Sequence, residues 1–193
     1  FLVRVVEVTD LAETTPLSAE QILAIARVPT DSTNLFSLKL RSIEARLREH
    51  PWIKGVTLTK RFPNTVSIHV EFRQPLAVMQ SKTGSLYFLD QEGTLFSEIN
   101  LKSNPNLPVI MESERVRKDL AIELIHLWEK GGMNDSFPMS TIEDRGERGF
   151  RALVGYRLKS GGMARAWIEV GQNFDGEFLN QLSRLREVLL YLG

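Results

Sequence analysis

Pro51-Trp52-Ile53-Lys54-Gly55-Val56-Thr57-Leu58-Thr59-Lys60-Arg61-Phe62-Pro63-Asn64-Thr65-Val66-Ser67-Ile68-His69-Val70 decides the fold. Val56 and Leu58 alternate with Thr57 and Thr59, and Val66, Ile68, Val70 and Phe72 alternate with Ser67, His69, Glu71 and Arg73. A period of two is the signature of a strand with one buried face, and Phe62-Pro63-Asn64 between the runs supplies the turn. Pro51 closes whatever helix precedes it, because the residue before a proline is pushed out of the α region. Working back, Phe36, Leu40, Ile43 and Leu47 recur at helical spacing, which predicts a helix from Asn34 to His50. Ser18 and Gln21 form a capping box, and the helix it opens should carry Ile22, Ile25 and Ala26 before stopping near Pro29. Phe1 to Val8 reads as a further strand. The order strand, helix, helix, strand, strand implies a small sheet with two helices on one face.

The composition changes after Pro75. Leu76 to Met79, Leu86 to Leu89 and Thr94 to Phe96 are short strand candidates, punctuated by Gly84 and Gly93. Asn100 to Pro108 reads as a loop. Val116, Leu120, Leu124 and Leu127 mark an amphipathic helix that Gly131-Gly132 ends. Phe150 to Leu158 and Met163 to Gly171 form a hairpin around Ser160-Gly161-Gly162, and Phe178, Leu182, Leu185, Leu189 and Leu192 stripe a last helix. The chain is therefore expected to be α+β, with one domain over 1–74 and a mixed-sheet domain over 75–193. Trp128 and Trp167 are expected in the core, and Trp52 is expected to plug the helix–sheet junction of the first domain.

Composition narrows the function. Twenty-four basic and 24 acidic residues cancel, so no overall field draws the chain to nucleic acid or to an anionic membrane, and membrane contact is expected only through an anchor outside these residues. Locally the balance is uneven: Ser37 to Arg73 carries eight Lys/Arg against three Asp/Glu. There is no cysteine, which removes disulfides, zinc-thiolate sites and thiol nucleophiles together. No P-loop, dinucleotide fingerprint, nucleophile elbow or HExxH helix is present. His50, His69 and His126 lie in separate elements without ligand-like spacing. Asp90 and Glu92 share a face but border a Gly93 turn, where aspartate is ordinary. These features point to a binding protein with no cofactor, no metal and no catalytic residue. No apolar run reaches the roughly 20 residues that span a bilayer. The start at Phe1 suggests a piece of a longer chain with its anchor elsewhere.

Five motifs in order resemble the bacterial cell-division family FtsQ/DivIB. They are Asn34-Leu35-Phe36, the Pro51 to Val70 stretch, Arg73-Gln74-Pro75-Leu76-Ala77, Tyr87-Phe88-Leu89-Asp90-Gln91-Glu92-Gly93-Thr94-Leu95-Phe96, and Leu107-Pro108. The resemblance implies a POTRA domain followed by a β domain, held outside the cytoplasmic (inner) membrane by a single-span anchor and acting at the division septum. It implies a non-enzymatic scaffold of the divisome, linking early to late division proteins and binding the FtsB–FtsL pair. Its recruitment surface maps onto Leu58, Lys60 and Phe72, although the family usually has Glu where Phe72 stands. In the second domain it points to Arg145, and to Ile168 and Val170 on a strand whose edge could pair with a partner. The family usually adds one more strand after the last helix, on which FtsB docks. This chain stops at Gly193, so residues 1–193 are expected to bind FtsB–FtsL poorly and a longer chain well. The competing readings are a POTRA-bearing protein of outer-membrane assembly or two-partner secretion, and a cell-wall or lipid-processing enzyme. The first normally has tandem POTRA units or a long barrel, and the second needs a catalytic constellation.

Overall fold

A computed structural model describes residues 1–12, 14–99, 105–111, 116–174 and 177–192. The backbone divides into two compact units, Phe1–Gln74 and Pro75–Gly193. Together they form an α+β chain of mixed sheets.

The first unit runs β1 (Val5–Thr9), α1 (Ala19–Ala26), α2 (Leu40–Arg48), β2 (Ile53–Arg61) and β3 (Thr65–Phe72). Its three strands lie in the order β1-β3-β2, β1 parallel and β2 antiparallel to β3. Ile22 and Ala26 of α1 and Ile43 and Leu47 of α2 are buried with Val56, Val66, Ile68 and Val70 of the sheet. The capping box at α1 is complete: Ser18 Oγ accepts from Gln21 N–H, and Gln21 Oε1 accepts from Ser18 N–H. Arg27, in the left-handed region at φ 44°, ends the helix before Pro29.

Three expectations change here. The first strand begins at Val5, while Leu2 makes an isolated antiparallel bridge to Asn34. The second helix begins at Leu40, and Phe36 precedes it. Asn34 Oδ1 accepts the Phe36 N–H at 3.0 Å and Asn34 O accepts the Ser37 and Leu38 N–H groups at 3.1 Å, a capped single turn that does not run on into α2 because Lys39 between them is extended at φ −83°, ψ 90°. Leu35 and Leu38 fill the core in place of Phe36. Trp52 is only half-buried, and its N–H donates to His50 Nδ1 at 3.4 Å. Burial lowers the pKa of that imidazole below its ordinary value.

The second unit runs β4 (Pro75–Gln80), β5 (Leu86–Asp90), β6 (Leu95–Glu98), β7 (Val109–Met111), α3 (Lys118–Lys130), β8 (Met139–Asp144), β9 (Phe150–Arg157), β10 (Met163–Gly171) and α4 (Phe178–Leu192). Among the described residues its sheet has seven strands in the order β10-β9-β8-β7-β4-β5-β6. β7 is parallel to both β4 and β8, and the other pairs are antiparallel. Both helices share a core with the sheet: Ala121, Leu124 and Trp128 of α3 and Phe178, Leu182 and Leu189 of α4 pack with Ala77, Ile110, Ile142 and Ala152. Trp128 is fully buried and its indole N–H donates to Phe137 O at 3.0 Å. The stripe expected on α3 is rotated toward Ala121, Ile122, Ile125 and Trp128. The part of the 100–108 loop at 100–104, the side chain of Leu192 and Gly193 lie outside the described residues.

Trp167 is not a core residue. It stands on the outer face of β10, 44% exposed, because the alternation that turns Ala166, Ile168 and Val170 inward turns Arg165, Trp167 and Glu169 outward.

Candidate partner-binding surfaces

β2 is an outer strand of the first unit's sheet. Leu58 lies opposite Ile68 and packs half-buried against the core, as does Phe72 at the end of β3 opposite Ile53. Lys60 shares the face of Leu58, and its ammonium donates to Phe36 O at 2.9 Å. Glu71, on the opposite face, lies 3.3 Å from Lys54 Nζ. The structure thus brings Leu58 and Lys60 to one strand and leaves Phe72 at the far end of its neighbour.

The second surface is built on β10, which ends the seven-stranded sheet. Ile168 and Val170 turn their side chains toward the core, so what they present at the edge is backbone. The outer face carries a chain of opposite charges. Arg145 Nη1 donates to Glu169 Oε1 at 2.9 Å. Arg151, directly across from Glu169 and from Glu143 in the ladders, pairs with Glu143 and places its guanidinium 4.3 Å from the Trp167 ring centroid. Arg145 therefore joins Trp167, Arg151 and Glu169 on one patch. The sequence reading missed Arg151 and misplaced Trp167. The signal available was the strict alternation of Met163 to Gly171, which puts Trp167 opposite Ile168.

Behind this edge sits an ion pair, buried at its carboxylate and partly open to solvent at its guanidinium, that no local motif announces. The Asp144 carboxylate is fully buried and accepts from Arg117 N–H at 2.9 Å, Arg117 Nε at 3.0 Å, Arg117 Nη2 at 2.7 Å and Gly146 N–H at 2.9 Å. Burial alone would raise its pKa. The side-chain and backbone hydrogen bonds from Arg117, the Gly146 amide and the Arg117 charge outweigh burial and hold the carboxyl below its usual range. Arg117 also donates to Gln172 Oε1 at 3.1 Å, just past β10, and stacks over Phe150 at 4.9 Å. The clamp ties the start of α3, the end of β8 and the exit of β10 together.

Asp90 Oδ1 accepts from Glu92 N–H at 3.1 Å and Thr94 N–H at 2.8 Å, a turn-forming role. His69 lies 3.2 Å from Asp10 on the surface, far along the chain from His50 and His126. Among the described residues no three His, Cys, Asp or Glu side chains cluster as metal ligands, and no helix is long and apolar enough to cross a membrane.

Residues 1–73 match the family model "POTRA domain, FtsQ-type", so the helix-backed three-stranded unit is a POTRA fold. The "Cell division protein FtsQ" of Geobacter sp. is 29% identical over 197 residues, covering 93% of this chain and 67% of the relative. The proteins of that name from Myxococcus fulvus and Geotalea daltonii are 34% and 32% identical over 98 and 114 residues, covering 51% and 58% of this chain. They are covered over 34% and 40% of their own length, so the chain spans between about a third and two thirds of these relatives. A "Cell division protein DivIB" from Solibacillus silvestris is 33% identical over 96 residues. Residues 1–73 thus match the FtsQ-type POTRA family, and the chain as a whole is similar to the bacterial cell-division proteins FtsQ and DivIB.

Proposed function

We propose that this chain is the non-catalytic, extracytoplasmic part of a divisome scaffold, a POTRA domain over 1–74 followed by an FtsQ-type β domain over 75–193. In this reading it works at the septum, on the outer side of the cytoplasmic membrane, and holds the FtsB–FtsL pair. The observation that carries the proposal is the β10 edge: nine residues paired on one side with β9 and standing last in the sheet. Such an edge offers backbone donors and acceptors to an extended segment, while side chains on the outer face give it selectivity. Arg145, Trp167 and Glu169 fill that second role here. Leu58 and Lys60 on the outer strand β2 form the recruitment surface for a different division protein, with Phe72 lending packing.

Calorimetry with an FtsB segment tests the reading, comparing residues 1–193 with a longer natural chain. Equal binding by both would show that no strand beyond Gly193 is needed, against the expectation drawn from the resemblance. Binding by the longer chain alone places a later strand between β10 and the partner. Binding by neither removes the assignment. Septal localisation of the tagged full-length protein in dividing cells tests the divisome role; an envelope-wide distribution would refute it.

A further inference from the structure

Three phenylalanines from separate segments meet on the surface of the first unit. Phe1, Phe36 and Phe62 are 66%, 61% and 60% exposed. Their ring centroids nevertheless lie 5.6, 6.3 and 5.1 Å apart. The rings pack on one another, while the core beneath is filled by Leu35 and Leu38. Leu2, 44% exposed and bridged to Asn34, extends the apolar area. An aromatic side chain can bury about 150–250 Å², so these rings leave on the order of 300–450 Å² of apolar surface in water. That is the size of the largest patch on many monomers, and such patches are often functional.

The rim is cationic. Lys60 reaches the Phe36 carbonyl, Arg61 precedes Phe62, and Arg4 donates its backbone N–H to Asn64 O at 2.9 Å. Two acids lie nearby: Glu7, paired with Arg61 at 3.0 Å, and Asp31, whose backbone N–H donates to Val3 O at 2.7 Å. The zero net charge of the whole chain thus conceals a local positive excess beside exposed rings.

We propose that the Phe1–Phe36–Phe62 cluster inserts into the interface of an anionic lipid bilayer, with Lys60 and Arg4 meeting the headgroups. Aromatic rings flanked by basic residues suit the boundary between headgroups and acyl chains. A protein partner fits less well, because the patch is about half of the roughly 800 Å² each side gives to a standard interface. A second copy docked two-fold would set the cationic rim against itself. The inference concerns the first unit and is independent of strand pairing at β10.

The test is cosedimentation of the 193-residue chain with vesicles of phosphatidylglycerol and phosphatidylcholine, and with phosphatidylcholine alone. Binding is expected on the anionic vesicles, weakened by salt, and reduced by about tenfold or more in Phe36→Ser/Phe62→Ser and in Lys60→Glu. Emission from a Phe36→Trp variant should be quenched by brominated acyl chains, a readout that does not depend on the Ser variants folding. Absence of binding to anionic vesicles, equal binding by the wild type and the correctly folded double variant, or no quenching would each overturn the proposal. So would a dimer in sedimentation velocity that Phe36→Ser/Phe62→Ser abolishes, which would assign the patch to a second copy.

Discussion

The two edges of the seven-stranded sheet are built differently. β6 is four residues long, its register against β5 shifts between Tyr87 and Phe88, and Ser97 takes a positive φ of 32°. β10 is nine residues long, and its register is unbroken until Glu169 and Gly171. Shortness, irregular register and backbone distortion are common devices that stop an edge from recruiting another strand. β6 carries all of them and β10 has a single irregularity at its end. The contrast teaches that an edge can be judged by its backbone before any side chain is considered. It also shows what maintains β10: its exit is fixed by the Arg117–Asp144 clamp through Gln172 and by the approach of Gly171 to Gly149.

The largest expected effect comes from dismantling that clamp. Asp144→Ala leaves the Arg117 and Gly146 amides without their acceptor and the Arg117 guanidinium with only Gln172 Oε1 and Gly146 O, and should cost about 3 kcal/mol in urea denaturation. Hydrogen exchange should then rise in β10 while β6 is unchanged. Equal loosening of both edges would erase the contrast. The pH dependence has a definite sign. Because the folded carboxyl titrates below its unfolded value of about 3.9, its stabilisation is present above that value and is lost as pH falls through the folded pKa. The stability gap between wild type and Asp144→Asn should therefore be constant near neutrality and shrink below about pH 4.

Next in size is Gly149→Ala. Gly149 sits at φ 79°, and a Cβ there would overlap the backbone of Gly171. A cost of about 2 kcal/mol combines the left-handed backbone with forced separation of β9 from β10. Gly84 supplies the control, since it has a similar φ of 86° with nothing within 4 Å of its added Cβ. Gly84→Ala should cost about 1 kcal/mol. Equal losses at the two glycines, measured by thermal melts, would show that the β9–β10 junction is under no steric constraint.

How much of this was legible follows from how local each signal is. The β2–β3 hairpin could be read because alternation runs along one stretch and Phe62-Pro63-Asn64 marks its turn. The Ser18–Gln21 capping box needs only three residues of separation, and it was found. β7 and β8 escaped notice because Val109–Met111 is too short to show a period and Met139–Asp144 is interrupted by a register shift between Met139 and Thr141. Phe36 fits the helical spacing of Leu40 and Ile43, yet the extended backbone of Lys39 separates its turn from the helix. Of the candidate contacts, Ile168 and Val170 could be placed on one strand face, and Arg145 came only through family resemblance. Arg117 and Asp144 lie 27 residues apart and meet only once the sheet has formed. No spacing rule could have joined them.

A smaller effect separates the two edges by function. Proline placed in turn at Ala164 to Glu169 removes one backbone donor per variant. Variants whose N–H faces β9 should lose stability, and those whose N–H faces outward should fold but bind the FtsB segment about tenfold more weakly. Proline at Leu95 or Phe96 in β6 should leave binding unchanged in any variant that folds. Loss of binding from β6 variants with a normal melt would reverse the assignment of the docking edge.

The smallest expected effect on stability is at Trp167. Its ring is 44% exposed and lies under the Arg151 guanidinium at 4.3 Å, an arrangement worth about 0.5–1 kcal/mol at an exposed site. Arg151 keeps its Glu143 partner when the ring is gone, so Trp167→Ala should cost no more than about 1 kcal/mol. The core residue Trp128 should cost about 3–5 kcal/mol by the same change. If the outer face of β10 lends selectivity to the edge, Trp167→Ala should weaken FtsB binding by more than its stability loss would suggest. Leu95 on β6 is 41% exposed and provides the matched control, since Leu95→Ala should alter neither binding nor folding appreciably. A loss above about 3 kcal/mol at Trp167 would mean that the ring is part of a packed layer and that β10 presents no open face. Unchanged binding with a small stability loss would leave the edge as a purely backbone surface, and selectivity would then have to come from Arg145 and Glu169.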